Sequence, residues 1–198
     1  METVLFVDAC VRGEKSRTGK LARCFLDACM RADPGREIIR RDLCRERPQP
    51  QYPEVLEHRD ALWREKRWDD PVFALAREFA AADKIVLAAP FWDLTFPAVL
   101  KIYLERISVT DITFGYDEQG TCVGLCRAAK LLLITTRGGF YRGSSLEMAT
   151  PVLRALCTMY GIPEFLCLDA EGLDDVRQNP QQILLEAFAR AEEMARDF

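Results

Sequence analysis

Lys84-Ile-Val-Leu-Ala-Ala-Pro-Phe-Trp-Asp-Leu-Thr-Phe-Pro97 decides the reading of this chain. Its first part is a short apolar run that reads as a buried strand, Ile85–Ala89, and a helix is expected from Ala98. The connection between them is unusual. Loops carry backbone that must meet water and are therefore mostly polar. This one holds three aromatic rings, Phe91, Trp92 and Phe96, between Pro90 and Pro97. Such a loop at the carboxyl end of a parallel strand suits a flat aromatic ligand read by backbone groups, and taken alone it equally suits burial at a subunit interface.

Working outward, four more apolar runs read as strands: Thr3–Val7, Glu37–Asp42, Lys130–Thr135 and Phe165–Leu168. Helical patterns fall between them at Thr18–Ala32, Pro71–Ala82, Ala98–Ile107 and Met148–Tyr160. A last helix opens at Asn179-Pro180, a cap residue followed by proline at the first helical position, and runs to about Arg196. Strands alternating with helices predict a parallel sheet covered on both faces, in the strand order 2-1-3-4-5, as a single domain over residues 1–198. Two insertions interrupt the alternation. Leu43–Arg67 is rich in proline, arginine and aromatics, and Asp111–Arg127 reads as a small hairpin turning at Asp117-Glu-Gln-Gly120.

In an open parallel sheet, ligands bind beyond the carboxyl ends of the strands where the strand order reverses, here between the first and third strands. Three loops should meet there. After the first strand comes Ala9-Cys-Val-Arg-Gly-Glu-Lys-Ser-Arg-Thr18. Ser16, Arg17 and Thr18 stand at a helix entrance, where free N–H groups and the helix dipole favour an anion. Arg12 and Arg17 add charge-assisted contacts, although Ser16 or Thr18 could simply cap the helix. The loop is neither G-x-G-x-x-G nor a Walker loop, so it suits a monophosphate. The aromatic loop, Pro90 to Leu94, is the second. The third follows the fourth strand, Thr135-Thr-Arg-Gly-Gly-Phe-Tyr141, whose paired glycines allow close backbone approach. A phosphate cradle, a flat apolar wall and a polar backbone edge are together the surfaces that FMN requires.

The composition narrows the field. With 198 residues, 49% hydrophobic and 29% charged, the chain can bury a substantial core, and a net charge of −4 disfavours nucleic acid as a main partner. No apolar run reaches the roughly 18 residues needed to cross a bilayer. The opening Met-Glu-Thr-Val-Leu-Phe-Val reads as a strand rather than a signal peptide, so a cytoplasmic location is expected. There are eight cysteines but no C-x-x-C pair, and His58 is the only histidine. Neither a structural metal nor a Ser–His–Asp hydrolase is expected on that inventory. The cysteines read as small buried apolar residues, with Cys10 singled out by its place in a site loop. The cluster Arg36, Arg40, Arg41, Arg45 and Arg47 reads as a solvated face, with docking of a nicotinamide 2′-phosphate as the functional alternative.

At this point the chain resembles the FMN-dependent NAD(P)H azoreductase and quinone reductase family of the flavodoxin-like fold. The resemblance rests on Arg12-Gly-Glu-Lys-Ser-Arg-Thr-Gly-Lys-Leu21, on Ala89-Pro-Phe-Trp-Asp-Leu94 continuing to Leu100-Lys-x-Tyr103, and on Ile134-Thr-Thr-Arg-Gly-Gly139. The hairpin from Thr113 to Leu125 and Thr150-Pro151 also match. It implies that Ser16, Arg17 and Thr18 hold the phosphate, that Pro90, Phe91, Trp92, Asp93 and Leu94 line the ring system, and that Thr136, Arg137, Gly138 and Gly139 contact its pyrimidine side. It implies a homodimer, and two electrons passing by a ping-pong mechanism from NADH or NADPH to a quinone, azo or nitroaromatic acceptor. Asp93 stands where the family usually has Asn; a carboxylate can only accept hydrogen bonds, and its charge opposes negative charge on the reduced cofactor. Tyr141, where some members have His, is the candidate contact to substrate. A flavodoxin-like electron carrier or flavin-based redox sensor without turnover is the alternative.

Overall fold

The structure, a computed structural model, describes residues 2–198. Five strands form one parallel sheet: β1 (Thr3–Asp8), β2 (Glu37–Asp42), β3 (Lys84–Ala88), β6 (Lys130–Thr136) and β7 (Glu164–Ala170), in the order β2-β1-β3-β6-β7. Counted among sheet strands alone, that is the expected order 2-1-3-4-5. The reversal point lies between β1 and β3.

Period-two alternation along the central strands sends side chains to two cores. Leu5, Val7, Ile85, Leu87, Leu131 and Leu133 face one side. There they pack against α4 (Ala74–Ala81), α5 (Ala98–Ile107) and α6 (Ala149–Tyr160), with Phe79 set edge-on between Tyr103 and Tyr160. Val4, Phe6, Val86, Ala88, Leu132 and Ile134 face the other side, covered by α1 (Arg17–Ala32) and α7 (Pro180–Asp197). Ala187, Ala191 and Ala195 recur every four residues on α7 and are fully buried, so the two helices can approach closely. Asn179 caps α7 through Oδ1, which accepts the N–H groups of Gln181 and Gln182.

The structure differs from the sequence reading in three places. Leu43–Arg67 is helical in two stretches, α2 (Leu43–Glu46) and α3 (Pro53–Arg64). The segment from α3 into Pro71–Phe73 closes a satellite core of Leu62, Phe73, Ala76 and Val109, with Trp68 against Phe73. Its helicity is hard to read because Leu62 is the only fully buried residue of α3. The helix expected from Pro71 begins as a 3-10 turn, Pro71–Phe73, because Asp70 Oδ1 takes the Val72 N–H. The arginine cluster is not wholly solvated: Arg41 forks onto Glu78 at 2.7 and 2.6 Å, and Arg36 pairs with Glu2 at 2.9 Å.

The hairpin pairs β4 (Phe114–Tyr116) with β5 (Cys122–Gly124). It is pressed onto the end of α6, where a Cβ on Gly124 would fall 2.0 Å from the Gly161 nitrogen. Only glycine permits that approach. Among the described residues all eight cysteines are free, and no helix is long and apolar enough to cross a membrane.

Candidate functional site

The loops after β1, β3 and β6 meet at the carboxyl edge of the sheet and enclose a cleft of about 560 Å³. Its lining comes from all three: Arg12, Lys15, Ser16, Arg17 and Thr18; Pro90, Phe91 and Trp92; Thr136 and Gly138. A fourth loop, after β7, adds Asp174. A cleft of this size is that of a small-molecule site.

The first loop ends in a cap. Ser16 has extended backbone, which stops the preceding 3-10 turn, and its Oγ accepts the Gly19 N–H at 3.1 Å. The Arg17 and Thr18 N–H groups have no partner within the described residues, so the first turn of α1 keeps two donors at the cleft. Thr18 Oγ1 lies 2.6 Å from Thr136 Oγ1, both buried. Whichever hydroxyl donates, the pair retains one hydrogen to offer. Ser16 is thus cap and cleft residue at once, and the alternatives left open by the sequence are not exclusive.

Charge at this end is positive. Arg12 and Lys15 make no ion pair within the described residues, while Arg17 donates to Asp174 at 2.9 Å and to the Leu173 carbonyl at 3.0 Å. Three cations against one carboxylate favour an anion. Lys15 and Asp174 are absent from the sequence-derived site. Lys15 lies inside the quoted loop and was legible there. Asp174 was not, because only packing brings the β7–α7 loop to the cleft.

The aromatic loop is a tight reversal. Trp92 and Thr95 exchange backbone hydrogen bonds of 3.2 and 2.8 Å, with Asp93 at φ 47° and Leu94 at φ 66° between them. Two consecutive left-handed residues define a first-prime turn. Asp tolerates that region, whereas Leu does so at a cost of about 1–3 kcal/mol, of the kind found at ligand clamps. Asp93 and Leu94 are exposed at the tip rather than in the cleft wall.

The third loop divides its labour. Gly138 reaches the cleft; a Cβ there would meet Asp174 Oδ2 at 2.5 Å. The Gly138 and Gly139 N–H groups are unpaired, while their carbonyls accept from Asp174 and Gly172. Arg137 departs from expectation. Its N–H and carbonyl are taken by Ala170 and Leu173, and its guanidinium turns away into Glu147, Asp169 and Glu171. The reason is electrostatic: the buried carboxylates of Glu147 and Asp169 and the part-buried one of Glu171 outcompete a cleft already rich in cations. Tyr141 also stands back from the cleft, its ring 4.8 Å from that of Phe91 and its hydroxyl without a hydrogen bond.

Burial raises the carboxyl pKa of Glu171, but hydrogen bonds from Arg137 and from the Tyr141 and Arg142 N–H groups outweigh it, and the group lies below the usual range. Burial, reinforced by Asp8, pushes the Cys10 thiol far up; its Sγ faces the Ala88 carbonyl at 3.6 Å. Cys10 is a packed core residue, not a nucleophile.

The donor set fits a phosphorylated flat heterocycle: cations, two free N–H groups and a free hydroxyl hydrogen at one end, and an aromatic ring with a glycine backbone at the other. Known proteins agree with this architecture. The chain is 38% identical to FMN-dependent NADH:quinone oxidoreductase 2 of Clostridium acetobutylicum and 37% identical to FMN-dependent NADH:quinone oxidoreductase of Clostridium beijerinckii, each over the whole of both chains. Its fold superposes on an azoreductase of Bacillus anthracis with a TM-score of 0.89, at 26% identity and complete coverage of both chains. The family described as flavodoxin-like fold matches residues 2–195, and the chain belongs to that family.

Proposed function

We propose that this protein is an FMN-dependent oxidoreductase that passes two electrons from NADH or NADPH to a quinone or azo acceptor. The observation that carries the reading is the convergence of three loops on one cleft, with unpaired donors and unpaired cations at its α1 end. The names of the full-length relatives and of the similar azoreductase structure support the same chemistry.

When bound, FMN supplies the two-electron chemistry; the protein binds, orients and tunes it. The Arg17 and Thr18 N–H groups, the Ser16 and Thr18 hydroxyls, and the side chains of Arg12 and Lys15 hold the phosphate. Pro90, Phe91 and Trp92 wall the ring, with Asp93 and Leu94 at its margin. Thr136, Gly138 and Gly139 present its polar edge. Tyr141 stands behind Phe91, and its unbonded hydroxyl is a contact only for a substrate that reaches past that ring. With FMN bound in this single cleft, donor and acceptor would use the same opening in turn, which would make the kinetics ping-pong. The working unit is a homodimer, because large apolar side chains stand exposed on the hairpin and beside the cleft, among them Tyr116 at 62% and Leu94 at 39%.

The absorption spectrum of the purified protein, with chromatographic identification of any released chromophore, is the test. FMN, together with steady-state NADH or NADPH oxidation in the presence of a benzoquinone, is expected. Released FAD, or failure to load with added FMN, overturns the reading. Bound FMN without turnover favours an electron carrier.

A further inference from the structure

Behind the cleft lies a charged cluster for which the binding scheme has no use. Arg137 is 2% exposed, and its guanidinium is 3.3 Å from Glu147 Oε1, 3.2 Å from Asp169 Oδ2 and 2.8 Å from Glu171 Oε1. Arg142 closes the ring on Asp169 from the solvent side. Buried charge clusters are poor sources of stability, because desolvation consumes most of the attraction; where one persists, it can instead fix a geometry.

Two contacts connect this cluster to the cleft. The Arg137 guanidinium lies over the Phe91 ring, 5.3 Å from its centroid. Glu171 Oε1 takes, besides Arg137, the Tyr141 N–H at 2.9 Å and the Arg142 N–H at 2.7 Å. The rings of Phe91 and Tyr141 then meet at 4.8 Å. Glu171, Arg137, Phe91 and Tyr141 form a closed circuit that joins the β3 loop to the β6 loop, and Phe91 is the member that lines the cleft.

We infer that Arg137 and Glu171 are positioning residues, which lock the Phe91 wall against the Tyr141 loop and so hold the cleft ready for a flat ring. This rests on the flavin reading only for the identity of the ring. Glu171 contacts the 137–142 segment and makes no hydrogen bond to the 90–95 loop. Perturbing it and reading the second loop therefore measures the coupling itself.

The experiment is hydrogen exchange on the apoprotein of Glu171→Ala, Glu171→Gln and Arg137→Lys, followed by FMN titration of each. The reporter amides are Trp92 and Thr95, which bond to each other within the loop under test. Glu171→Ala is expected to speed their exchange roughly tenfold, the size of one desolvated cation–π contact, and to weaken FMN binding by a similar factor. Arg137→Lys should do the same, since one ammonium cannot span three carboxylates. Glu171→Gln, whose amide oxygen has lone pairs for two of the three donors, should restore most of the protection. Faster exchange confined to residues 137–142, or loss of protection throughout β1 and β3, overturns the inference by making the cluster a local pin or a general stabiliser. If the unaltered protein takes up no FMN, the flavin reading fails, while the exchange data still decide the coupling.

Discussion

Exchanging Ser16 for aspartate separates the two tasks that its hydroxyl holds. In the structure Ser16 Oγ accepts the Gly19 N–H at 3.1 Å and closes the entrance of a 16-residue helix. In Ser16→Ala that N–H is left buried without a partner, which costs about 1 kcal/mol, and the apoprotein should melt about 2–4 °C lower. The same change removes one hydrogen bond to a charged group, worth about 1.5–3 kcal/mol, so FMN affinity should fall roughly 10- to 100-fold. Ser16→Asp keeps a cap acceptor and complements the helix dipole, so the apoprotein should hold its midpoint better than Ser16→Ala does. Its carboxylate, however, faces the phosphate. Two like charges about 4 Å apart at an effective dielectric near 20 repel by about 4 kcal/mol, close to a thousandfold in dissociation constant. Thermal unfolding of the apoprotein and quenching of flavin fluorescence measure the two quantities independently. If Ser16→Asp binds FMN as tightly as the unaltered protein, the phosphate does not lie at this helix and the assignment of the cleft is wrong.

Other outcomes follow from the same geometry. Asp174→Asn releases Arg17 from its ion pair and removes the one carboxylate of the cleft lining; FMN titration should show tighter binding, and thermal melts should show less than about 1 kcal/mol of lost stability, because the pair is largely exposed. Asp93→Asn removes a charge at the cofactor margin while keeping a residue that tolerates the left-handed turn. The two-electron potential should rise by about 30 mV, equivalent to about 1.4 kcal/mol, and a potentiometric titration showing no change or a fall would place Asp93 away from the ring. Light scattering at micromolar concentration should give twice the chain mass of 22.6 kDa; the single-chain value would contradict the dimer. Glu171 has a depressed pKa when folded, so its contribution is complete above the unfolded value and is lost as pH falls through the folded one. The melting temperature should be flat above about pH 5 and fall below it, less steeply in Glu171→Gln; an identical slope in both would remove Glu171 from the acid limb.

The strands and most helices were legible because their signals are local. β1, β3 and β6 are short runs of buried apolar residues, and α7 announces itself by Asn179-Pro180. α3 was not legible: with Leu62 alone fully buried, its stripe toward the core is too narrow to set a period. The cleft was legible as three loops with unusual chemistry, since the parallel order dictates which loops meet. The place of Arg137 was not, because an arginine beside two glycines reads as a ligand contact until the carboxylates of Glu147, Asp169 and Glu171 are seen to surround it.

The sequence by itself determined the layer order, the reversal point and the residue types that could meet a phosphate and a flat ring. Those follow from periodicity, caps and chirality, which act over a few residues at a time. Only the tertiary structure decided how the polar groups are apportioned. Thr18 finds Thr136 across 118 positions, and Arg17 finds Asp174 across 157. No local rule selects such partners. They are chosen when the sheet brings its loop ends together and each buried donor or charge must be satisfied by whatever stands within reach.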